Sequence, residues 1–536
     1  MSNCLDYEGL KALAAELGRP VTTLIITATN DPFYANMPSR RAWAEWFAKL
    51  WRECGFGNGV HVRRIHYLLV SAATPILDVN GQPYINTGNC WSNLAIASRD
   101  ARLLGLVPID GFVDRRIDDP IIRLYNFHQD AELDVEEPGV VETPSASFEP
   151  GISEVDSPIR FDPPSFTPVS DELPEPPEYT LDPPVVDQRY HLEIWAEKTT
   201  VADILEDLAR EYRLNVVMGA GEMSLTHCYQ FVQRAKNSGK AVRILYVSDF
   251  DPAGRNMPIA VARKIEFLVR RDNLDLDVQV RPVALTQEQC VEYRLPRIPI
   301  KETAKGKSQF EERFGEGATE LDALEALHPG SLRQILVREI RRYWDGEIRT
   351  RVEEKAEEIR QMLDVARCAV LERHQSELEA IRAERLEIVG RYHEGMNSIV
   401  RDCNNEVEPL IEACSDEIAP FITRCNDEVS PILERHNSEL EEIAAGLEDE
   451  LEENTEKAAS LLAIIASELA ENAPGDIDWP EAKEGDEDPD PLYDSARDYV
   501  EQIDRFKLHQ DKPVTGAAGW RVKQSDNREV AAEAPP

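Results

Sequence analysis

From residue 189 the chain alternates between strand-length apolar runs and helix-length amphipathic ones, and this alternation limits its architecture more than any other feature. HLEIWAE reads as a strand, TTVADILEDLAREY as a helix and LNVVMGA as an apolar strand ending in glycines. SLTHCYQFVQRAKNSG is helical, AVRILYVSDF a buried strand and MPIAVARKIEFLVRRDN another helix. Strands separated by helical crossovers predict βαβ units and a parallel sheet, so the fold class is α/β. Patterns such as SLRQILVREIRRYW carry this unit to about residue 350, giving a sheet domain over 189–350.

Charge separates this domain from its surroundings. With 100 acidic and 59 basic residues the formal charge is -41, a surface that as a whole repels nucleic acid and anionic membranes. The excess lies in 129–188 and beyond 350, whereas 1–128 and 189–350 are near neutral and can hold local basic patches. Residues 129–188 are rich in Pro, Asp and Glu, have too little apolar area to offset chain ordering, and are expected to form a disordered linker. Residues 473–536 read as an acidic, largely disordered tail. Nine cysteines occur without a CxxC pair. There is no basic-then-apolar leader and no run of 18 apolar residues, so the expectation is a cytoplasmic protein with reduced thiols and no membrane partner.

Between them, residues 351–472 form a long charged helical segment, read as a coiled coil. An eleven-residue repeat runs through it: CNNEVEPLIEA, CSDEIAPFITR, CNDEVSPILER, HNSELEEIAAG. That period favours a straight or slightly right-handed coiled coil, while Pro409, Pro420 and Pro431 allow either a regularly bent helix or several short ones. Cys403, Cys414, Cys425 and His436 share the spacing. They are read as seam residues, because one helix cannot wrap ligands eleven residues apart around a single ion.

Residues 1–128 read as a mostly helical unit. AWAEWFAKLWREC, RRIHYLLVSA and CWSNLAIASRDARLLGL have helical periodicity, and VPIDGFVDRR follows as a strand or hairpin. Three helices and a β-ribbon are the layout of a winged helix, whose third helix, here bearing Arg99 and Arg102, meets DNA.

The sharpest motif is VSDFDPAG, residues 247–254. Its strand delivers Asp249 and Asp251 to the carboxyl end of a parallel sheet, where such sheets place their ligands. Two carboxylates so spaced can share a hard cation, and Mg2+ (or Mn2+) suits a site that leaves room for water and phosphate. Glu197 ends the earlier strand and can face the same rim, with Lys198 beside it. Three carboxylates and a metal form a site for phosphoryl transfer.

With these residues in place, 189–270 resembles the TOPRIM domain of topoisomerases, bacterial primases and related nucleases. The order EK…GAGEMS…SDFDPAG is most similar to type IIB topoisomerase (topoisomerase VI) A subunits and the meiotic double-strand-break transesterase. The resemblance implies Glu197, Asp249 and Asp251 as metal ligands, with Glu197 also a general acid or base. It implies an N-terminal winged helix carrying a catalytic tyrosine. In HVRRIHY, Arg63 matches the motif arginine, His66 stands in place of the usual aromatic and Tyr67 falls on the nucleophile position. It further implies a homodimer in which tyrosine and metal come from different subunits, with Arg64, Arg99, Arg102, Lys198 and Arg255 as DNA contacts. Lys301, Lys305, Lys307, Arg263, Lys264, Arg270 and Arg271 are further candidates for phosphate.

The expected function is metal-dependent DNA cleavage by tyrosine transesterification, leaving a 5′-phosphotyrosyl link. No segment resembles the ATPase subunit of those enzymes, so strand passage would call for a separate ATPase partner. Two other readings stand beside it. One is a TOPRIM nuclease that hydrolyses DNA with no tyrosine intermediate, as plasmid-defence nucleases of the Wadjet type resemble. The other is a non-catalytic DNA-binding scaffold.

Overall fold

The computed structural model describes residues 5–114, 119–124, 129–136, 139, 169–219, 221–412 and 418–511. The chain divides into two units. Met1–Phe127, Asp187–Glu347 and Ala482–Pro536 make one, and His128–Val186 with Ile348–Glu481 the other.

The first unit begins with α1 (Tyr7–Glu16), capped by Asp6, which accepts from Gly9 N at 2.9 Å. Three further helices follow: α2 (Pro38–Glu53), α3 (Val62–Val70) and α4 (Gly88–Leu103). Proline in the first turn of α2 loses no hydrogen bond, because that N–H has no helical partner. Phe47, Trp51, Ile65, Leu69, Leu94 and Ala97 are buried together between these helices. The ribbon expected behind the third helix differs. There Phe112 makes a single bridge to Val60, and a hairpin bridge, Leu77 with Pro83, lies instead between α3 and α4. Asp78 builds its turn by accepting from Asn80 N and Gln82 N at 2.8 and 2.9 Å, and Gly81 adopts φ 73°. Asn-Gly between extended residues is itself a hairpin signal, whereas Pro108 in VPIDGFV cannot donate to a ladder.

In the second unit, β1 (Glu132–Val135) pairs antiparallel with β2 (Tyr179–Asp182). The stretch 129–188, expected to be disordered, is thus ordered at both ends. Val135, Leu173 and Tyr179 pack on Val370, Ile381, Leu461 and Ile465, and Val169 joins Ile388, Tyr392 and Leu447. Tyr179 Oη also donates to Leu469 O at 2.8 Å. A few apolar anchors on a helical surface offset the ordering of a segment too polar to build a core alone. Residues 140–168 of that stretch lie outside the described residues.

Back in the first unit run β3 (Tyr190–Ala196), α5 (Ala202–Tyr212), β4 (Asn215–Met218), α6 (Leu225–Ser238), β5 (Ala241–Val247), α7 (Pro252–Arg271) and β6 (Val278–Ala284). These strands pair in parallel in the order β4-β3-β5-β6, as the alternation predicts. Every residue of β3 is buried, which fits a central strand covered on both faces. Glu193 within it is satisfied by Arg234 (2.9 and 2.8 Å), Trp195 Nε1 (2.8 Å) and Asn215 Nδ2 (3.1 Å). Short helices α8 (Gln287–Glu292), α9 (Lys307–Phe314) and α10 (Asp322–Leu327) lead to α11 (Ser331–Ile340). One core holds α5 and α11 side chains such as Leu205, Leu208, Leu336 and Ile340; the other holds α6 and α7 with Leu10, Leu24 and Phe33.

The second unit continues with α12 (Ile348–Glu412) and α13 (Ile418–Asn472). They pair antiparallel, as the contacts His374–Glu468 (3.0 Å), Glu384–Lys457 (3.1 Å) and Asn454 Nδ2 to Ile381 O (3.1 Å) require. Both run through their interior prolines, Pro409 and Pro431. Cys403, Val407, Val429 and Leu433 are buried together in the seam; Cys414 and the side chain of Cys425 lie outside the described residues. Among the described residues no helix is long and apolar enough to cross a membrane.

The acidic tail rejoins the first unit and overturns the expectation of disorder up to residue 511. β7 (Tyr493–Asp494) pairs antiparallel with β6, and α14 (Tyr499–Asp511) buries Tyr499, Ile503 and Phe506, spaced along one helix face, against α7. Upstream, Glu484, Asp486, Glu487 and Asp488 meet Arg189, Arg342, Arg243 and Arg281. Beneath α14, Arg263 of α7 is clasped by Asp31 (2.9 and 2.8 Å), Glu266 (2.5 Å) and Tyr499 Oη (3.1 Å). Breaking a fully buried ion pair strands a charge, so Asp31→Ala is expected to destabilise this unit by about 3–5 kcal/mol. The denaturant midpoint checks this against Asp504→Ala, whose carboxylate is 60% exposed and 4.0 Å from Arg19. That control is expected to shift by well under about 1 kcal/mol.

Candidate functional site

Parallel pairing brings distant acids together. β3 and β5 are in register with Ala196 opposite Val247, so the residues that follow each strand emerge at one edge. Glu197 N donates to Val247 O at 3.0 Å, extending the ladder, and Asp249 N reaches Glu197 Oε2 at 3.4 Å. Asp251 caps α7 by accepting from Gly254 N at 2.6 Å, where the positive helix end favours a carboxylate. Gly254 is forced by space: a Cβ there would lie 2.1 Å from Asp249 O.

The three carboxylates feel one another. Burial first, then Asp249 and Asp251, pushes Glu197 up to about 7. Burial chiefly, with Asp249 adding to it, also raises Asp251. A carboxyl that holds its proton more tightly when folded than unfolded makes stability fall as pH rises from about 4.5 through about 7, and level off above. In metal-free buffer, Glu197→Gln is therefore expected to equal the original near about pH 4 and to exceed it in urea midpoint near about pH 8. Equal midpoints at both values would mean that neither burial nor the neighbouring acids raise Glu197 in the folded protein.

A second acidic pair, not singled out in the sequence, completes the rim. Phe250 and Thr319 exchange backbone hydrogen bonds at 2.9 and 3.0 Å, which carries Glu320, Leu321 and Asp322 to the site. Leu321 N donates to Asp249 Oδ1 at 2.8 Å. Lys198 Nζ lies 2.8 Å from Asp249, 3.3 Å from Asp322 and 3.9 Å from Glu320. The only signal available was the spacing in TELDAL, where Glu320 and Asp322 repeat the two-residue interval of the SDFD acids. Lys198, expected to contact DNA, is thus turned onto carboxylates.

The donor set suits a hard divalent cation, being oxygen only, and an ammonium already stands in for positive charge on Asp249. Glu197, Asp249 and Asp251 are the residues that would hold it. Even so, no group of three or more His, Cys, Asp or Glu is gathered for a metal among the described residues.

The N-terminal candidates separate into exposed and enclosed. Tyr67 is 60% exposed, and Arg63 and Arg64, one helical turn before it on α3, are exposed as well. The buried aromatic of this helix is His66, with Nδ1 2.6 Å from Tyr84 Oη and Nε2 3.3 Å from Asn86 Oδ1. Arg99 binds Asp100 (3.1 and 3.0 Å) and Thr29 O (2.9 Å). Arg102 is enclosed between Ser98 O, Thr226 Oγ1 and the Phe112 ring, and burial lowers it to about 10. Arg255 lies over the Phe250 and Phe314 rings and donates to His509 O of α14, with burial lowering it too. Neither Arg102 nor Arg255 presents a free guanidinium to a phosphate, since Arg102 is buried, Arg255 half-buried, and both are already engaged, in part by the distant Thr226 and His509. Arg263 and Lys264 are buried; Arg270 and Arg271 pair with Glu266 and Asp272; Lys301 and Lys305 are exposed and Lys307 pairs with Glu302.

Neither a scan against protein-family models nor a search of curated proteins finds a match to this chain.

Proposed function

We propose that this chain is a TOPRIM-type enzyme that cleaves DNA through Tyr67, in the manner of a topoisomerase VI A subunit. The observation that carries the reading is the emergence of Glu197, Asp249 and Asp251 at the carboxyl edge of the adjacent parallel strands β3 and β5, with Asp249 N reaching Glu197 Oε2 at 3.4 Å. A free phenol on an exposed helix face, one turn from two exposed arginines, supports the choice of Tyr67 over water.

In this reading α2–α4 act as a winged-helix-like module. Tyr67 Oη gives its proton to solvent water and bonds to a phosphodiester phosphorus, and the bond from phosphorus to the 3′-oxygen breaks. The product is a 5′-phosphotyrosyl ester, which conserves the bond for resealing. Arg63 and Arg64 bind the neighbouring phosphate oxygens. Glu197, at the same edge, supplies a proton to the leaving 3′-oxygen. Glu197, Asp249 and Asp251 would hold a Mg2+ or Mn2+, which would supply positive charge to the phosphate. The protein works as a homodimer, the tyrosine of one protomer serving the carboxylates of its partner, and an ATPase would be a separate subunit.

The test is incubation of the full chain with supercoiled DNA and Mg2+ or Mn2+, followed by denaturation. Protein joined to 5′ ends is expected. Broken DNA with free ends would replace this reading with hydrolysis by a TOPRIM nuclease. Bound but uncut DNA with either ion would favour a scaffold.

A further inference from the structure

Lys198 stands where the acidic rim would otherwise meet a cation. Its ammonium engages Asp249 Oδ2 at 2.8 Å, while Asp249 Oδ1 accepts from Leu321 N at 2.8 Å, so both oxygens of this central carboxylate are taken. The same ammonium already touches a second carboxylate, Asp322, at 3.3 Å and has Glu320 at 3.9 Å. That pair is more open to solvent, with side chains 43% and 53% exposed against 9% for Asp249. Thr200 Oγ1 donates to Asp322 Oδ1 at 2.8 Å and leaves Oδ2 facing the lysine.

This arrangement has two sets of acids and one ammonium between them. Five carboxylates would repel one another with no cation present. A divalent ion and an ammonium on the same carboxylate would repel as well. A lysine, a compact charge on a long flexible stem, can move between neighbouring carboxylates without losing its charge.

We propose that Lys198 is a built-in counter-ion, which holds Asp249 in the metal-free protein and passes to Asp322 and Glu320 when a divalent ion binds Glu197, Asp249 and Asp251. The role is one of positioning, and it rests on the metal reading given above. It explains why the acids converge on one edge and yet do not stand as a ready cage.

Mn2+ titration of the full chain without DNA, read by the electron paramagnetic resonance of free Mn2+, tests it. Lys198→Met removes the competitor and is expected to bind Mn2+ about tenfold more tightly than the original. Glu320→Gln with Asp322→Asn removes the receiving pair and is expected to bind about tenfold more weakly. Adding Lys198→Met to that double variant is expected to restore the tight binding, since with no lysine the receiving pair has nothing to accept. Lys198→Arg, with matching thermal melts, separates charge from lost packing and is expected to stay close to the original. Lys198→Met binding no tighter than the original would overturn the proposal while leaving the metal reading in place. A combined variant that stays weak would also overturn it, by making Glu320 and Asp322 direct ligands. If no protein binds Mn2+, and Asp249→Asn changes nothing, the metal reading itself fails.

Discussion

Tyr67→Phe is expected to eliminate the covalent protein–DNA species and to lower strand cleavage by about 10³-fold or more, as loss of a nucleophile does elsewhere. The variant is informative because it removes one oxygen and little else. The ring is 60% exposed, and its aromatic neighbour is His66, edge to face at 5.3 Å. Phe keeps that contact, so the melting transition is expected to stay within about 0.5 kcal/mol of the original. Quantifying denaturant-resistant DNA adducts alongside nicked and linear DNA reads both effects at once. Cleavage at the original rate would assign the attack to water.

Asp249→Asn is expected to cost about 10²–10³-fold in cleavage, the scale seen when one electrostatic contributor to a transition state is removed. Asparagine retains the size of the side chain and an oxygen able to accept from Leu321 N, so the segment bearing Glu320 and Asp322 stays docked. What it loses is the charge that holds Lys198 in the metal-free protein and that a cation would take over. Single-turnover cleavage, together with an unchanged melting profile, checks this. Undiminished cleavage would move the chemistry away from the edge where β3 and β5 end.

The parts of this architecture that were legible in the sequence are those set by local pattern. Apolar strand-length runs alternating with amphipathic helical ones gave the sheet and its crossovers, and a strand-end position was enough to bring Glu197 to the edge shared with Asp249 and Asp251. What was not legible depends on what covers a surface. Arg102, Arg255 and Arg263 sit on helices that the sequence offered as candidates for a phosphate-binding face. That face is closed by Thr226, by α14 and by Asp31, none of which a periodicity can connect to it. Glu320 and Asp322 reach the site through two hydrogen bonds between Phe250 and Thr319, a pairing with no sequence signature. In the tail the signal was present but diluted: Tyr499, Ile503 and Phe506 keep helical spacing inside a stretch whose average composition reads as disordered.

That late segment has a consequence for how the protein is made. Strands β3 to β6 leave the ribosome long before β7 and α14, with the two longest helices synthesised in between. Until Tyr493, Tyr499 and Phe506 arrive, α6 and α7 lack part of their cover and Arg263 lacks Tyr499. A nascent or prematurely terminated copy therefore holds an unfinished core, a natural target for chaperones and proteases.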